Sequence, residues 1–309
     1  MKLNNVVVAG GGVLGSQIAF QAAYCGFNVT IRLRSKDSIN RCKPKLDNLK
    51  TRYLASIEDM SSGKMWANGI SDPSSFNKEE CINKVLNAYS NIKLEVDLAL
   101  ATKDADIVIE SMAENEGEKI EFYKKLAPLL PNKTIVVTNS STLLPSKFAK
   151  YTGRKDKFLS LHFANTIWVN NMAEVMAQKF TNKEIFNEVI NFAKEINMVP
   201  LPVHKEKSGY LLNSMLIPLL FSALDLFVNG VSDPTSIDKA WKLGTGAPNG
   251  PFEILDIIGL TTAYNVVMMY TKIPSFLAPY NFKEMAKVLK KYIDEGKLGL
   301  ASKRGFYKY

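Results

Sequence analysis

Histidine is nearly absent from this chain, with two among 309 residues, at positions 162 and 204. A proton-shuttling imidazole therefore has two candidate positions. Cysteine is scarce as well. Cys25, Cys42 and Cys81 stand at no paired or zinc-like spacing, which argues against a disulfide framework and a zinc site and leads us to expect a reducing, cytoplasmic setting. Uninterrupted apolar runs are lacking too: the longest stretch, Leu211 to Val228, is broken by Asn213, Pro218 and Asp225, so it reads as a buried helix and not as a membrane span. Met1-Lys2-Leu3-Asn4-Asn5 has none of the features of a secretory leader. The net charge of +9 is scattered, with no basic helix or aromatic-rich basic stripe. We therefore expect an anionic small molecule as partner, with no nucleic acid and no membrane.

The strongest positive signal follows the apolar run Val6-Val7-Val8-Ala9. There Gly10-Gly11-Gly12-Val13-Leu14-Gly15 opens a helical pattern that continues through Ile18, Ala19 and Ala22. A buried strand, a glycine turn and a helix N-terminus together make a phosphate cradle. Gly10 permits the turn, Gly12 lets the backbone approach a pyrophosphate, and Gly15 lets the helix pack closely on its strand. A second strand, Asn28 to Leu33, comes at the expected distance, so a dinucleotide, NAD or NADP, is the predicted cofactor.

Enzymes that take the unphosphorylated cofactor usually carry Asp or Glu about 20 residues past the glycines, where it accepts from the ribose hydroxyls. Here that position is Leu33, flanked by Arg32 and Arg34. If the strand runs that far, alternation puts the two arginines on one face. Two readings stay open: a guanidinium pairs with a ribose 2′-phosphate and NADP is accepted, or both arginines are solvated and Asp37 reaches the ribose from the loop.

With 309 residues and 46% hydrophobic content, the chain has enough material for two cores. Helical patterns at Asp37 to Met60, Pro73 to Tyr89 and Glu118 to Leu130 alternate with strand-like runs at Asn91 to Leu94, Ile107 to Glu110, Thr134 to Thr138 and Phe158 to Phe163. This calls for an α/β fold with a doubly wound, mostly parallel sheet of Rossmann type. Beyond about Ser208 only helical patterns occur: Tyr210 to Asn229, Ser236 to Leu243, Phe252 to Met269 and Asn281 to Glu295. The boundary is expected between Pro202 and Lys207, giving a dinucleotide-binding domain over 1–204 and an all-helical substrate domain over 205–309.

His162 closes the strand Phe158-Leu159-Ser160-Leu161, at the sheet edge where open α/β sheets bind ligands. His204, among Lys205, Glu206 and Lys207, reads as a solvated surface residue. Glu174 lies in the strand-like Ala173-Glu174-Val175-Met176, and a carboxylate in an apolar strand needs a partner. Either it orients His162 for proton transfer, or the two form a buried ion pair that only ties strands together.

These residues stand among familiar runs: Asn139-Ser140-Ser141-Thr142, Leu161-His162-Phe163, Ala173-Glu174-Val175, Gly209-Tyr210-Leu211-Leu212-Asn213, Gly244 to Glu253 and Gly305-Phe306-Tyr307-Lys308-Tyr309. Over essentially its whole length the chain resembles the 3-hydroxyacyl-CoA dehydrogenase family, and within it the bacterial diketoreductases. The resemblance implies that His162 is the acid/base and Glu174 its orienting carboxylate. By themselves Ser141 also reads as the cap of a helix start before Pro145 and Asn213 as a side chain satisfying backbone inside a helix; the resemblance makes both donors to the substrate oxygens, puts Glu110 near the nicotinamide and counts Asn139 among the cofactor-binding residues. It also implies an acyl-CoA or 3-oxo ester substrate and a homodimer formed through the helical domain. Two departures bear on the substrate. The family commonly runs Phe-Phe-Asn-Pro after its histidine, whereas this chain has Phe163-Ala164-Asn165-Thr166-Ile167-Trp168. Trp168, Asn170 and Asn171 either reshape the acyl pocket or pack. The stretch from Asp37 to Tyr89, where the family receives CoA, matches no pattern.

Overall fold

The computed structural model describes residues 3–274 and 276–309; Met1 and Lys2, at the head of the segment read for a leader, lie outside them. The chain divides into two compact units, one ending at Leu211 and the other running Leu212–Tyr309.

In the first unit the order is β1 (Asn5–Ala9), α1 (Val13–Tyr24), β2 (Asn28–Arg32), α2 (Lys36–Ser61), α3 (Lys78–Asn91), β3 (Lys93–Glu95), α4 (Leu98–Thr102), β4 (Ile107–Glu110), α5 (Glu116–Leu126), β5 (Ile135–Thr138), β6 (Phe158–Phe163), β7 (Met172–Met176), α6 (Lys183–Glu195) and β8 (Val199–Val203). The eight strands form one sheet in the order β3-β2-β1-β4-β5-β6-β7-β8, parallel except where β7 runs against β6. Strand order runs outward from β1 to β3 on one side and from β1 to β8 on the other, which is the doubly wound arrangement, and it gathers the carboxyl ends of β1, β4 and β5 at one edge.

Why these runs become central strands follows from their faces. Val6 and Val8 of β1, Ile107 and Ile109 of β4, and Ile135 and Val137 of β5 join one buried core, with Ile18, Ala19 and Ala22 of α1. Val7, Ala9, Val108 and Val136, at the alternate positions, join a second core with Phe122, Tyr123, Phe148 and Phe158. A strand buried on both faces must be apolar throughout, which is what the sequence shows.

Three elements in this unit fall where the sequence reading names none, the first being α4, a helix of five residues. α6 is a short amphipathic helix, and β8 contains Pro200 and Pro202 yet pairs in parallel with β7. The prolines fit because β8 is the last strand, with an edge on which a missing N–H costs nothing.

The second unit contains α7 (Leu212–Val228), α8 (Pro234–Thr245), α9 (Pro251–Ile258), α10 (Leu260–Met268) and α11 (Phe282–Asp294). The single helix expected from Phe252 to Met269 is in fact two. Gly259 sits between them at φ +89, a value that favours glycine, and the Leu260 N–H leaves the helix ladder to donate to the Leu298 carbonyl at 3.1 Å. The core holds Leu220, Phe221, Leu224, Phe252, Leu255, Met285 and Leu289. Buried Asp256 fastens the end of the chain by accepting from the Phe306 and Tyr307 N–H groups and the Tyr309 hydroxyl. Among the described residues no helix is long and apolar enough to cross a membrane.

Candidate active site

The glycine turn is shaped by what it excludes. Gly10 has φ +124, and a Cβ there would stand 2.4 Å from the Ser111 carbonyl oxygen. A Cβ on Gly15 would come within 2.1 Å of the Gly10 oxygen, so the first turn of α1 lies directly against the loop. In front of Gly12 a Cβ would meet nothing within 4 Å. Gly12 caps α1 with no side-chain hydrogen bond, and the first turn holds no acidic residue. Leu14 packs into the main core and Val13 is exposed. Uncapped N–H groups facing open space suit a pyrophosphate, so the residues present fit a dinucleotide.

The catalytic candidates come together through strand register. Because β7 is antiparallel to β6, Glu174 stands directly opposite His162, and opposed residues project from the same face. His162 Nδ1 and Glu174 Oε2 are 2.9 Å apart, both side chains buried. The other carboxylate oxygen accepts from the Leu211 N–H at 2.8 Å. On the far side of the ring, His162 Nε2 lies 3.0 Å from the Ser141 hydroxyl. A carboxylate at Nδ1 fixes the tautomer and leaves Nε2 to exchange a proton with a bound group.

A residue that sequence reasoning left without a role completes this arrangement. The Tyr210 ring stacks on His162 with centroids 4.4 Å apart and planes 11° apart, while its hydroxyl donates to the Ser140 carbonyl at 2.7 Å. Gly209 at φ +81 and Tyr210 at φ +52 make the left-handed turn that delivers the ring. The glycine before an aromatic was the available signal.

Asn139 is 8% exposed and bridges strand ends, its Oδ1 accepting from the Phe163 N–H and its amide reaching the Ser111 hydroxyl at 3.4 Å. Glu110 is fully buried. It accepts from Lys119 Nζ at 2.6 Å, from the Thr138 and Tyr123 hydroxyls and from the Met112 N–H. Its oxygens thus serve as the counter-ion of a buried lysine at the sheet edge. Asn213 lies half-buried in the first turn of α7, in the second unit, whereas Ser141, His162 and Glu174 are brought together in the first. His204 is exposed.

Glu114, which sequence reasoning missed, holds the loop that carries Ser141. Its Oε1 accepts from the Ser140 hydroxyl at 2.6 Å and from the Thr142 N–H and hydroxyl at 2.9 and 2.8 Å. Burial pushes its pKa up, but these bonds and the nearby Lys119 charge outweigh burial and hold the carboxyl below its ordinary value. A depressed folded-state pKa contributes stability above the unfolded value, lost as pH falls through the folded one. Glu114→Gln is therefore expected to lower Tm at neutral pH by about 2–4 °C. The gap to the wild type should close as pH drops below about 4, which thermal melts of both proteins across pH will check.

Trp168 packs. It is 1% exposed, its indole N–H donates to Ser56 Oγ at 3.0 Å, and the Tyr53 ring lies 4.7 Å away. Asn170 and Asn171 bond to the Asn165 and Asn197 carbonyls. The strand after α1 ends at Arg32, so Arg34 leaves the alternation that would have put both arginines on one face. Arg32 is half-buried, its guanidinium 6.0 Å from the Phe122 ring centroid. Leu33 is buried and Arg34 exposed.

Comparison with known proteins gives the same outline. The family described as 3-hydroxyacyl-CoA dehydrogenase, NAD binding domain, matches residues 5–207, and the C-terminal domain of the same enzymes matches 209–309. The chain is 31% identical to 3-hydroxybutyryl-CoA dehydrogenase of Clostridioides difficile, covering 100% of this chain and 99% of that one. It is 30% identical to the mitochondrial hydroxyacyl-coenzyme A dehydrogenase of Homo sapiens, over 99% and 91% of the two chains. Among solved structures, a diketoreductase described as catalysing reactions of dicarbonyl compounds superposes with a TM-score of 0.86 at 47% identity, each chain covered completely. On these matches the chain belongs to the 3-hydroxyacyl-CoA dehydrogenase family, oxidoreductases that act on a CH–OH group with a nicotinamide dinucleotide, NAD or NADP.

Proposed function

We propose that this protein interconverts 3-hydroxyacyl-CoA and 3-oxoacyl-CoA, with His162 as acid/base and Glu174 as the carboxylate that orients it. The observation that carries this reading is the aligned pair of contacts at His162, 2.9 Å from Glu174 on one nitrogen and 3.0 Å from Ser141 on the other. In the oxidation direction His162 Nε2 takes the substrate's hydroxyl proton, and Glu174 stabilises the imidazolium that forms. Gly10, Gly12 and Gly15 with the N–H groups of Val13 and Leu14 would hold the dinucleotide, which would supply the hydride acceptor and, in reverse, the donor. Ser141 donates to the reacting oxygen, holding it beside His162. Tyr210 keeps the imidazole plane from turning, while Asn139 and Glu114 fix the strand end and loop that carry the site.

A second reading, reduction of a free 3-oxo or 3,5-dioxo ester, is favoured by one observation, the 47% identity to a diketoreductase over the whole chain. The two readings separate on steady-state kcat/KM for acetoacetyl-CoA against a free acetoacetate or 3,5-dioxo ester, followed by nicotinamide absorbance. The thioester reading expects acetoacetyl-CoA to be preferred by at least about tenfold, one decade in transition-state binding. Preference for the free ester would move the protein to the second reading. We further propose a cytoplasmic homodimer: the cysteines are free, and Met215, Leu243 and Met269 of the helical unit expose apolar side chains.

A further inference from the structure

The dinucleotide site has a departure at the residue that normally meets the adenosine ribose. Leu33, the first residue after β2, is 2% exposed, and a Cβ on Gly11 would come within 2.6 Å of its Cδ2. The side chain therefore lies flat against the glycine loop, with Cys42 beside it, 2.8 Å from the same point. Its position is that of the residue whose carboxylate accepts from the ribose hydroxyls when the cofactor is unphosphorylated. An isobutyl group accepts nothing, so a ribose diol at this place would lose its usual partner.

The sequence that follows β2 is basic. From Arg32 to Lys45 the chain carries six basic residues and one acidic residue, Asp37. Arg32 is withdrawn toward Phe122, but Arg34 is exposed, and among the described residues it has no hydrogen-bond or ion-pair partner. Ser35 caps α2 in extended geometry without a side-chain cap bond. Its hydroxyl lies 3.1 Å from that of Ser38, to which Arg41 Nη2 donates at 2.9 Å. Lys45 Nζ donates to the Gly11 carbonyl at 3.1 Å, fixing a positive charge on the glycine loop itself. A free planar guanidinium, two hydroxyls and a second guanidinium next to a buried apolar residue are suited to a dianionic phosphate and poorly suited to a neutral diol.

We propose that this chain reads a ribose 2′-phosphate and so takes the 2′-phosphorylated dinucleotide, with Arg34 as the pairing side chain, Ser35, Ser38 and Arg41 as its neighbours, and Leu33 removing the acceptor a diol needs. The inference rests on the dinucleotide reading of the glycine loop and narrows it to one cofactor class. Asp37, exposed in the first turn of α2, is the competing acceptor through which a diol would be read instead.

The test is direct binding, without substrate, of NADPH and NADH to the intact protein, read by cofactor fluorescence, for wild type, Arg34→Ala, Asp37→Asn and Leu33→Asp. The wild type should bind NADPH at least about tenfold more tightly than NADH, the factor expected from one charge-assisted pair. Arg34→Ala should erase that advantage and leave NADH affinity unchanged, while Asp37→Asn should not weaken NADH binding. Leu33→Asp should shift the preference toward NADH; should it fail to fold, the Arg34 and Asp37 variants still decide. Equal or tighter binding of NADH by the wild type overturns the inference alone. So does an Arg34→Ala loss shared by both cofactors, or an Asp37→Asn loss confined to NADH. Failure of both cofactors to bind overturns it together with the dinucleotide reading beneath it.

Discussion

His162→Gln is expected to lower kcat by about three orders of magnitude, within the range that positioned general acid–base catalysis supplies. Dinucleotide affinity should stay within a factor of about two, because the ring bonds to Ser141 and Glu174 and stacks on Tyr210, none of them part of the glycine turn. Glutamine fills a similar volume and can still accept from Ser141, so the stack against Tyr210 loses little packing. It has no nitrogen that cycles between proton donor and acceptor at neutral pH. Glu174→Gln should follow in the same direction with a smaller loss, since the ring stays held by Tyr210 but loses the charge that stabilises its protonated form. Steady-state rates alongside cofactor titration will separate the two effects. A His162→Gln protein with wild-type kcat would remove the ring from the chemistry and leave the pair with Glu174 as a strand tie.

Gly15→Ala is expected to have the other large effect, on binding. The added methyl group would stand 2.1 Å from the Gly10 carbonyl oxygen and 3.3 Å from Ser111 Cβ. No side-chain rotation relieves a clash between a Cβ and backbone oxygen, so α1 must move away from the loop. That movement pulls the uncapped N–H groups from the position a pyrophosphate needs. Dinucleotide affinity should fall by about two orders of magnitude, and Tm by several degrees for roughly 1–3 kcal/mol of overpacking. Gly12→Ala is the contrast, because a Cβ there meets no protein atom within 4 Å. It should leave Tm unchanged yet weaken the cofactor, because the space it fills is the ligand's. Calorimetric melts and fluorescence titrations check both, and equal Tm losses in the two variants would contradict this account of the turn.

The parts of the fold legible in the sequence are those dictated by local pattern. Val6 to Ala9 and Ile107 to Glu110 declare buried parallel strands because both faces are apolar, and the glycines that follow Ala9 declare the turn. β8 was illegible because Pro200 and Pro202 argue against a strand unless one knows that it lies at the sheet edge, which is a property of the whole topology. The break between α9 and α10 hid behind an apolar periodicity that runs straight across Gly259. At the site, His162 and Glu174 were legible as residues out of keeping with their strands. Their partnership depends on an antiparallel register twelve residues apart. Tyr210 and Glu114 were missed for the same reason: an aromatic after glycine and a carboxylate before a helix are ordinary in sequence. Only the fold brings one against the imidazole and the other to the loop of Ser141. Trp168, a candidate for the acyl pocket, turned inward to Tyr53 and Ser56 because an indole with a buried hydrogen-bond partner packs well there.

The most direct test of the central claim is a single turnover: protein preloaded with reduced nicotinamide dinucleotide is mixed with acetoacetyl-CoA or, separately, with a free 3,5-dioxo ester, and nicotinamide absorbance is followed. Absorbance is expected to fall with at least one of the two, and the fall to be abolished on the same timescale in His162→Gln. Constant absorbance with both, while the dinucleotide stays bound, would contradict that claim and leave a protein that holds the cofactor without transferring hydride.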